Sequence, residues 1–418
     1  MKYSFDEIVD RRGTGCVKWD EEVPIANSQD IIPLWVADMD FKAAPAIQEA
    51  IRRRAEHGVF GYTVVEKSYY DAIISWFQRR HQWTIHREEI LYTTGVVPAM
   101  SVALKALTMP GEKVLILSPD YNCFFSSIRN NGCEVLESVL VCKKRREERG
   151  ERREDSSASK SNSSPLSSLL SPLSSFEIDW LDFEAKCADE KTTVFLLCYP
   201  HNPTGRVWTR EELERMNTIC MSHGVKVVSD EIHCELIMPG HRFQPFAAVS
   251  EDCRQNAVIL NSPSKSFNIA GLQIANIICA QPEWRRRLDR AININEVCDV
   301  NPFGPVVLMA AYNESEDWID ELNQYLWGNY EALCQFASEH LPAWKVCSLE
   351  GTYLPWIDIT ATGFTSQQYA DRLLSECHVR VNPGTMYGAQ SGEGYIRLNI
   401  ACPRSLLMEA MKRVSMIE

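Results

Sequence analysis

The sequence predicts an α/β fold: a large domain built on a mostly parallel β-sheet covered by helices on both faces, followed by a smaller α+β domain. Two observations carry this reading. From about residue 90 to 280, short apolar runs alternate with helix-like segments, and strands that are apolar on both faces belong to parallel sheets packed between helices. After about residue 290 that alternation stops, and a long helical stretch around 304–340 leads into mixed strands and helices.

The elements follow in order. ILYTT (90–94) reads as a strand, and PAMSVALKAL (98–107) as a helix with Pro98 near its first turn. KVLILSP (113–119) and TVFLLCYP (193–200) are further strands. REELERMNTICMSHG (210–224) is an amphipathic helix closed by Gly224, which tolerates the left-handed conformation of a helix end. VKVVSDEIH (225–233) and AVILNSPSK (257–265) complete the strands of the large domain, while KVCSLEGTYLPWIDI (345–359) and GYIRLNIACP (394–403) belong to the small one. The expected division is an N-terminal segment at 1–45 that joins the small domain, a large domain at 46–289, and a small domain at 290–418. Residues 143–175 mix charges of both signs and then turn into Ser/Pro/Leu low complexity. Such a stretch buries too little apolar surface to offset its ordering entropy, so a mobile surface insertion is expected, with a docking loop as the alternative.

At 418 residues the chain exceeds one simple core, and 45% hydrophobic with 24% charged residues is ordinary for a globular protein. The net charge of −13 argues against nucleic acid or an anionic membrane as a partner. MKYSFDEIVDRRGTG lacks the apolar core of a secretory signal, and no apolar run reaches the roughly 18–20 residues that cross a bilayer. Fifteen cysteines are an odd number with no CxxC pair, and several, such as Cys198 and Cys279, lie inside apolar strands. Buried free thiols in a reducing cytoplasm fit this better than disulfides or a zinc site, and no metal is expected.

In parallel sheets, ligands collect at the carboxyl ends of the strands. Gly95, Asn202, Asp230, His233 and Lys265 all fall at or just after predicted strand ends. Lys265, in NSPSKSFNIAGL, follows an apolar strand, where desolvation lowers an amine's pKa and favours a Schiff base; an exposed loop lysine is the plainer alternative. In YPHNPTGRVW (199–208), Pro203 and Gly205 make a turn that would hold the Asn202 amide at a strand end. A turn with no other role would look the same. Asp230, in SDEIH, needs a cationic or hydrogen-bonding partner if buried, and either a protonated pyridine nitrogen or a loop cap would satisfy it. Around TTGVVPAM (93–100), the N–H groups at a helix start can hold a phosphate. Tyr121, in SPDYNCFF, can stack on an aromatic ring or belong to the core. Arg397, in GYIRLNIA, is a candidate clamp for a substrate carboxylate, with an internal salt bridge as the alternative.

Taken together, GVVP, Tyr121, NPTG, the SDEIH aspartate, SPSK and Arg397 resemble, in that order, the fold-type I pyridoxal 5′-phosphate (PLP) enzymes of the aminotransferase class I/II superfamily. FDEIVDRRGTGCVKWD, PLWVADMDF (33–41), SDEIHCEL and SPSKSFNIAGLQIAN are more closely similar to the MalY/PatB branch of C–S lyases, which are cystathionine β-lyase-like. The resemblance implies a seven-stranded sheet and PLP in Schiff-base linkage to Lys265. It implies catalytic roles for Lys265, Asp230 and Tyr121, with Asp230 on the pyridine nitrogen, Asn202 on the ring hydroxyl and Tyr121 on the ring face. It places Val96, Val97 and Ser262 around the phosphate, adds His233 to the cofactor contacts, and puts Arg397 on the substrate carboxylate. Tyr62, in FGYT, would reach the phosphate of a neighbouring subunit, which implies a homodimer. Gln273 stands where many aminotransferases carry an arginine for the phosphate, a departure that the lyase branch tolerates. The expected reaction is β-elimination of L-cystathionine or a related L-cysteine conjugate to a thiol, pyruvate and ammonia. Transamination on the same scaffold is one rival; a partner-binding regulatory protein is another, since members of the branch are associated with binding a transcription activator.

Overall fold

The computed structural model describes residues 2–21, 30–143, 175–294 and 298–417. The chain opens with α1 (Val17–Asp20), β1 (Ile32–Pro33), α2 (Pro45–Glu56) and α3 (Lys67–His81). The sheet-building part runs β2 (Ile90–Thr93), α4 (Val96–Leu107), β3 (Lys113–Ser118), α5 (Asn122–Asn130) and β4 (Glu134–Val139). A small ribbon, β5 (Val141–Lys143) and β6 (Ser175–Glu177), is followed by α6 (Trp180–Cys187), β7 (Thr192–Cys198), α7 (Arg210–Ser222) and β8 (Lys226–Asp230). Then come α8 (Glu251–Gln255), β9 (Ala257–Asn261), β10 (Ala275–Cys279) and α9 (Pro282–Ile294). The remainder is α10 (Gly304–Glu314), α11 (Glu316–His340), β11 (Lys345–Val346), β12 (Trp356–Asp358), α12 (Ser366–Cys377), β13 (Val379–Arg380), β14 (Asn382–Pro383), β15 (Tyr395–Arg397) and α13 (Arg404–Val414).

The central sheet has seven strands in the order β2-β10-β9-β8-β7-β3-β4. Pairing is parallel from β9 to β4, and β10 runs antiparallel to both β9 and β2. Because β2 opposes β10, it points the same way as the other five strands, and all six end on one edge. The side-chain period of two explains why both faces are apolar. Val114, Ile116, Val194 and Leu196 pack with Ala99 and Met100 of α4 and Leu288 of α9. Their neighbours Leu115, Leu117, Phe195 and Leu197 join a second core with Trp76 and Phe77 of α3 and Leu308 of α10.

Several strands are shorter than their apolar patterns. The run 225–233 stops as a strand at Asp230, where the carboxylate Oδ1 accepts from Ile232 N (3.1 Å) and turns the chain. The run 257–265 stops at Asn261, and Ser264 N donates to Ser262 Oγ (3.0 Å) in the loop that follows. The expected helical stretch 304–340 is two helices that meet at Ser315. Its hydroxyl donates to Ala310 O (3.0 Å), and its backbone (φ −124°, ψ 21°) leaves the helix. The α9 helix packs on α4, and α10 packs on α2 and α3.

A four-stranded antiparallel sheet, β11-β12-β15-β14, carries Arg397 at the end of β15. β1 pairs in parallel with β13, and Asn399 N donates to Leu34 O (2.9 Å), so the N-terminal segment adheres to the C-terminal part of the chain. The ribbon β5–β6 sets Lys143 directly opposite Ser175. Residues 144–174 of the expected insertion lie outside the described residues.

Candidate active site

Five predicted residues meet where the parallel strands end. β2 leads into Gly95 and α4, β3 is followed by Tyr121 at the cap of α5, and β7 leads into the Asn202 turn. β8 ends on Asp230, and β9 leads into the loop that carries Lys265. The turn around Asn202 is rigid: Gly205 has φ +74°, and a β-carbon there would come within 2.7 Å of Leu349 Cδ1.

The Lys265 amine is half-buried and donates to Ala37 O (2.5 Å), an acceptor shared with the Tyr353 hydroxyl (3.0 Å). Burial and the Arg397 charge push its pKa down to about 8, with Asp38 and Asp230 pulling it back up. Asp230 is buried, and desolvation pushes its carboxyl up to about 7 against the Ile232 N–H and the Lys265 charge. The Asn202 Oδ1 accepts from Arg397 Nη1 (3.1 Å), which leaves its amide N–H groups without a partner among the described residues. Arg397, 3% exposed, also donates to Trp35 O (2.9 Å) and lies over the Tyr387 ring at 4.6 Å. It pairs with no carboxylate among the described residues, so the salt-bridge alternative is set aside.

His233 is buried with Nδ1 unpartnered, and burial together with the Lys265 and Arg397 charges pushes its pKa well down. Tyr121 is partly buried, and desolvation raises its hydroxyl well above the usual range. Val96 and Val97 open α4 ahead of the first intrahelical bond (Ala99 N to Gly95 O, 2.9 Å), so their N–H groups are available to an anion. The Ser262 hydroxyl bonds Ile274 O (2.6 Å) and lies 2.9 Å from Ser264 Oγ, so its single proton is already engaged within the loop. Tyr62 is 98% exposed and is not gathered into this cluster. Gln273 is exposed and adopts the left-handed conformation (φ 49°).

Several neighbours carry no signature in the sequence. Trp35 and Ala37 contribute main-chain carbonyls, and Tyr353 and Tyr387 contribute a hydroxyl and a ring face. Asp120, fully buried beside Tyr121, accepts from Tyr121 N (2.7 Å) and leaves Oδ2 unpartnered. Farther off, Glu235 lies with His81 and Cys234 in a group whose ligand atoms fall within 4.8 Å of one another. Its carboxylate is already used by Trp76 Nε1 (2.7 Å), His81 Nε2 (2.7 Å) and Arg80 Nε (3.3 Å).

This donor set fits PLP. A buried acid suits a protonated ring nitrogen, an unpartnered amide N–H suits a ring oxygen, open helix-start N–H groups suit a phosphate, and a desolvated amine suits an aldehyde. The raised Asp230 pKa gives a direct check in the cofactor-free protein. Between pH 3.8 and about 7 the folded state keeps a proton that the unfolded chain releases, so this group makes stability fall as pH rises. Without cofactor, Asp230→Asn is therefore expected to match the unchanged protein near pH 4 and to exceed it by a few kcal/mol at pH 8. With PLP added the order should reverse. Melting temperatures across that range read both effects.

The sequence profile of the aminotransferase class I and II family matches residues 29–144 and 162–414. Cystathionine beta-lyase PatB of Bacillus subtilis is 37% identical over 98% of both chains, and protein MalY of Escherichia coli is 31% identical over 97% of this chain and 96% of its own. Among solved structures, cystalysin of Treponema denticola, which contains a PLP cofactor, superposes with a TM-score of 0.88 at 30% identity, covering 100% of this chain and 98% of its own. With the site geometry, these matches show that the chain is a PLP-dependent protein of the aminotransferase class I and II family, in the branch that holds PatB and MalY.

Proposed function

We propose that the protein is a PLP-dependent C–S lyase that cleaves L-cystathionine or related L-cysteine conjugates by β-elimination to a thiol, pyruvate and ammonia. The structural observation that carries the substrate class is Arg397, buried without a carboxylate partner among the described residues beside the half-buried Lys265 amine. A guanidinium in that position is suited to bind the α-carboxylate of an amino acid as a forked pair. The preference for elimination over transamination rests on the likeness to cystathionine beta-lyase PatB and to cystalysin.

Each residue has a definite task in this reading. Bound PLP supplies an electron sink next to the substrate Cα. Lys265 would hold the aldehyde carbon of PLP, and its free amine would take the α-proton of the substrate; a pKa near 8 suits a base working close to neutral pH. Asp230 would keep the ring nitrogen protonated, and the Asn202 amide N–H would bond the ring oxygen while its Oδ1 holds Arg397 in place. Tyr121 would cover the ring, the N–H groups of Val96 and Val97 would hold the phosphate, with Ser262 able to join them only if its hydroxyl gives up its bond to Ile274 O, and His233, kept neutral, lies near Lys265 and Arg397 without adding charge.

Three wider features belong to the same reading. The exposed apolar stretch Val59, Phe60, Tyr62 and Val64 is assigned to contact with a second copy, which supports a homodimer with Tyr62 at the partner's phosphate. Fifteen free cysteines support a cytoplasmic setting, and no helix among the described residues is long and apolar enough to cross a membrane. The pairing of β1 with β13 supports an N-terminal segment that belongs with the small domain, and the packing of α9 and α10 on α4, α2 and α3 supports a boundary somewhat later than residue 290.

The deciding assay supplies L-cystathionine and PLP with no keto acid. Thiol and pyruvate are expected in equal amounts. Activity that instead requires an added keto acid and returns the matching amino acid would establish transamination in place of elimination.

A further inference from the structure

The sequence motif RRGTGCVKWD and the loop WVADM find their role together. Arg11 donates to Asp38 Oδ2 (2.7 Å), Asp40 Oδ1 (2.7 Å) and Met39 O (3.0 Å). Lys18, whose side chain is fully buried, donates to Asp40 Oδ2 (2.8 Å) and Asp38 O (3.2 Å). Trp19 Nε1 donates to Asp40 (2.8 Å), and Trp35 Nε1 returns a bond to Lys18 O (3.2 Å). Two cations thus meet two carboxylates in a part of the molecule where an unpaired charge would be costly.

The loop they grip is unusual in its hydrogen bonding. Its five consecutive carbonyls, from Trp35 to Met39, all accept from side chains. Trp35 O takes Arg397 and Asn382, Val36 O takes Asn399, and Ala37 O takes Lys265 and Tyr353. Asp38 O takes Lys18 and Asn399, and Met39 O takes Arg11 and Asn268. The path of this segment is therefore set by side chains rather than by a sheet ladder. Two of its carbonyls, two residues apart, touch the carboxylate clamp and the catalytic amine.

We propose that Arg11, Lys18, Asp38 and Asp40 form a positioning cluster of the active site, fixing residues 35–38 so that the Trp35 and Ala37 carbonyls hold Arg397 and Lys265 in register, and setting the charge next to the amine. The groups facing that amine are Arg397 from β15, Asp38 from the loop, Asp230 from β8, Cys123 from α5, and His233 with Tyr353 nearby. Among them Asp38 is the one whose charge is tuned from outside the site, by Arg11 at 2.7 Å.

The inference rests on the PLP assignment and is tested on the holoenzyme by titrating the visible band of the lysine-linked cofactor. Arg11→Met leaves Asp38 less neutralised, favours the protonated nitrogen, and is expected to raise the band's midpoint by about half a pH unit or more. Asp38→Asn is expected to lower it. Both should raise KM for the amino-acid substrate about fivefold, because the support behind Arg397 is loosened. Arg11→Lys keeps the charge and should return the midpoint. A merely structural cluster would not move the midpoint in opposite directions, so unmoved midpoints, or shifts of the same sign, overturn the proposal while leaving the PLP reading intact. If Arg11→Met does not fold, the sign of the Asp38→Asn shift decides. Absence of the band in the unchanged holoenzyme would instead overturn the cofactor reading, and this proposal with it.

Discussion

Lys265→Ala is expected to yield a folded protein in which the visible band of lysine-linked PLP is gone, borohydride fixes no cofactor, and turnover falls about 10⁴-fold or more. The size follows from losing two tasks at once, the covalent hold on the aldehyde and the base at the substrate Cα. Stability should move the other way. A lysine whose pKa falls from 10.5 to about 8 on folding penalises the folded state fully below pH 8, and the penalty fades as pH rises toward 10.5. At pH 7 the cofactor-free variant is thus expected to melt no lower than the parent. A variant that keeps the band, or retains a tenth of the activity, would remove Lys265 from the chemistry.

Arg397→Met is expected to raise KM for the amino-acid substrate by about 10²–10³-fold, since a forked charge-assisted pair to the substrate carboxylate is lost. Its effect on the cofactor-free fold should be small. The variant forfeits hydrogen bonds to Asn202 and Trp35, but it also relieves a buried cation that has no carboxylate partner among the described residues. These terms oppose, and a net change within about 1 kcal/mol is expected. A structural salt bridge in the same place would cost about 3–5 kcal/mol on truncation, so paired thermal and kinetic measurements separate the two roles.

The strands were legible because their apolar runs are short and uninterrupted, and the site was legible where a polar residue breaks such a run. Asp230 after KVVS and Arg397 within YIRLNI both stand out on that ground. The direction of β10 was not legible, since a strand apolar on both faces reads the same in either orientation. Nor was the break at Ser315, which depends on a single hydroxyl returning to Ala310 O. Trp35 and Ala37 were not legible because what they contribute is main-chain oxygen, which any residue type carries. Asp120, in SPDYN, stands in a pattern that any surface turn can carry, and only packing shows that it is fully buried. Glu235 was legible as part of SDEIHCEL but not as the shared acceptor of Trp76, His81 and Arg80, whose positions lie more than a hundred residues earlier.

The distribution of sulfur has a bearing on how long such a catalyst lasts. A protein that liberates thiols works among exchange partners of its own making, and mixed disulfides form wherever a thiolate can be reached. Eleven of its 15 cysteines are buried, and burial raises the thiols of Cys198, Cys220, Cys234 and Cys347 far from ionisation. Only Cys16, Cys123, Cys142 and Cys298 are partly open. Of these, Cys123 stands two residues from Tyr121 and faces the Lys265 amine, so exchange with oxidised product at that position would be felt in the chemistry while the buried thiols of the core are spared.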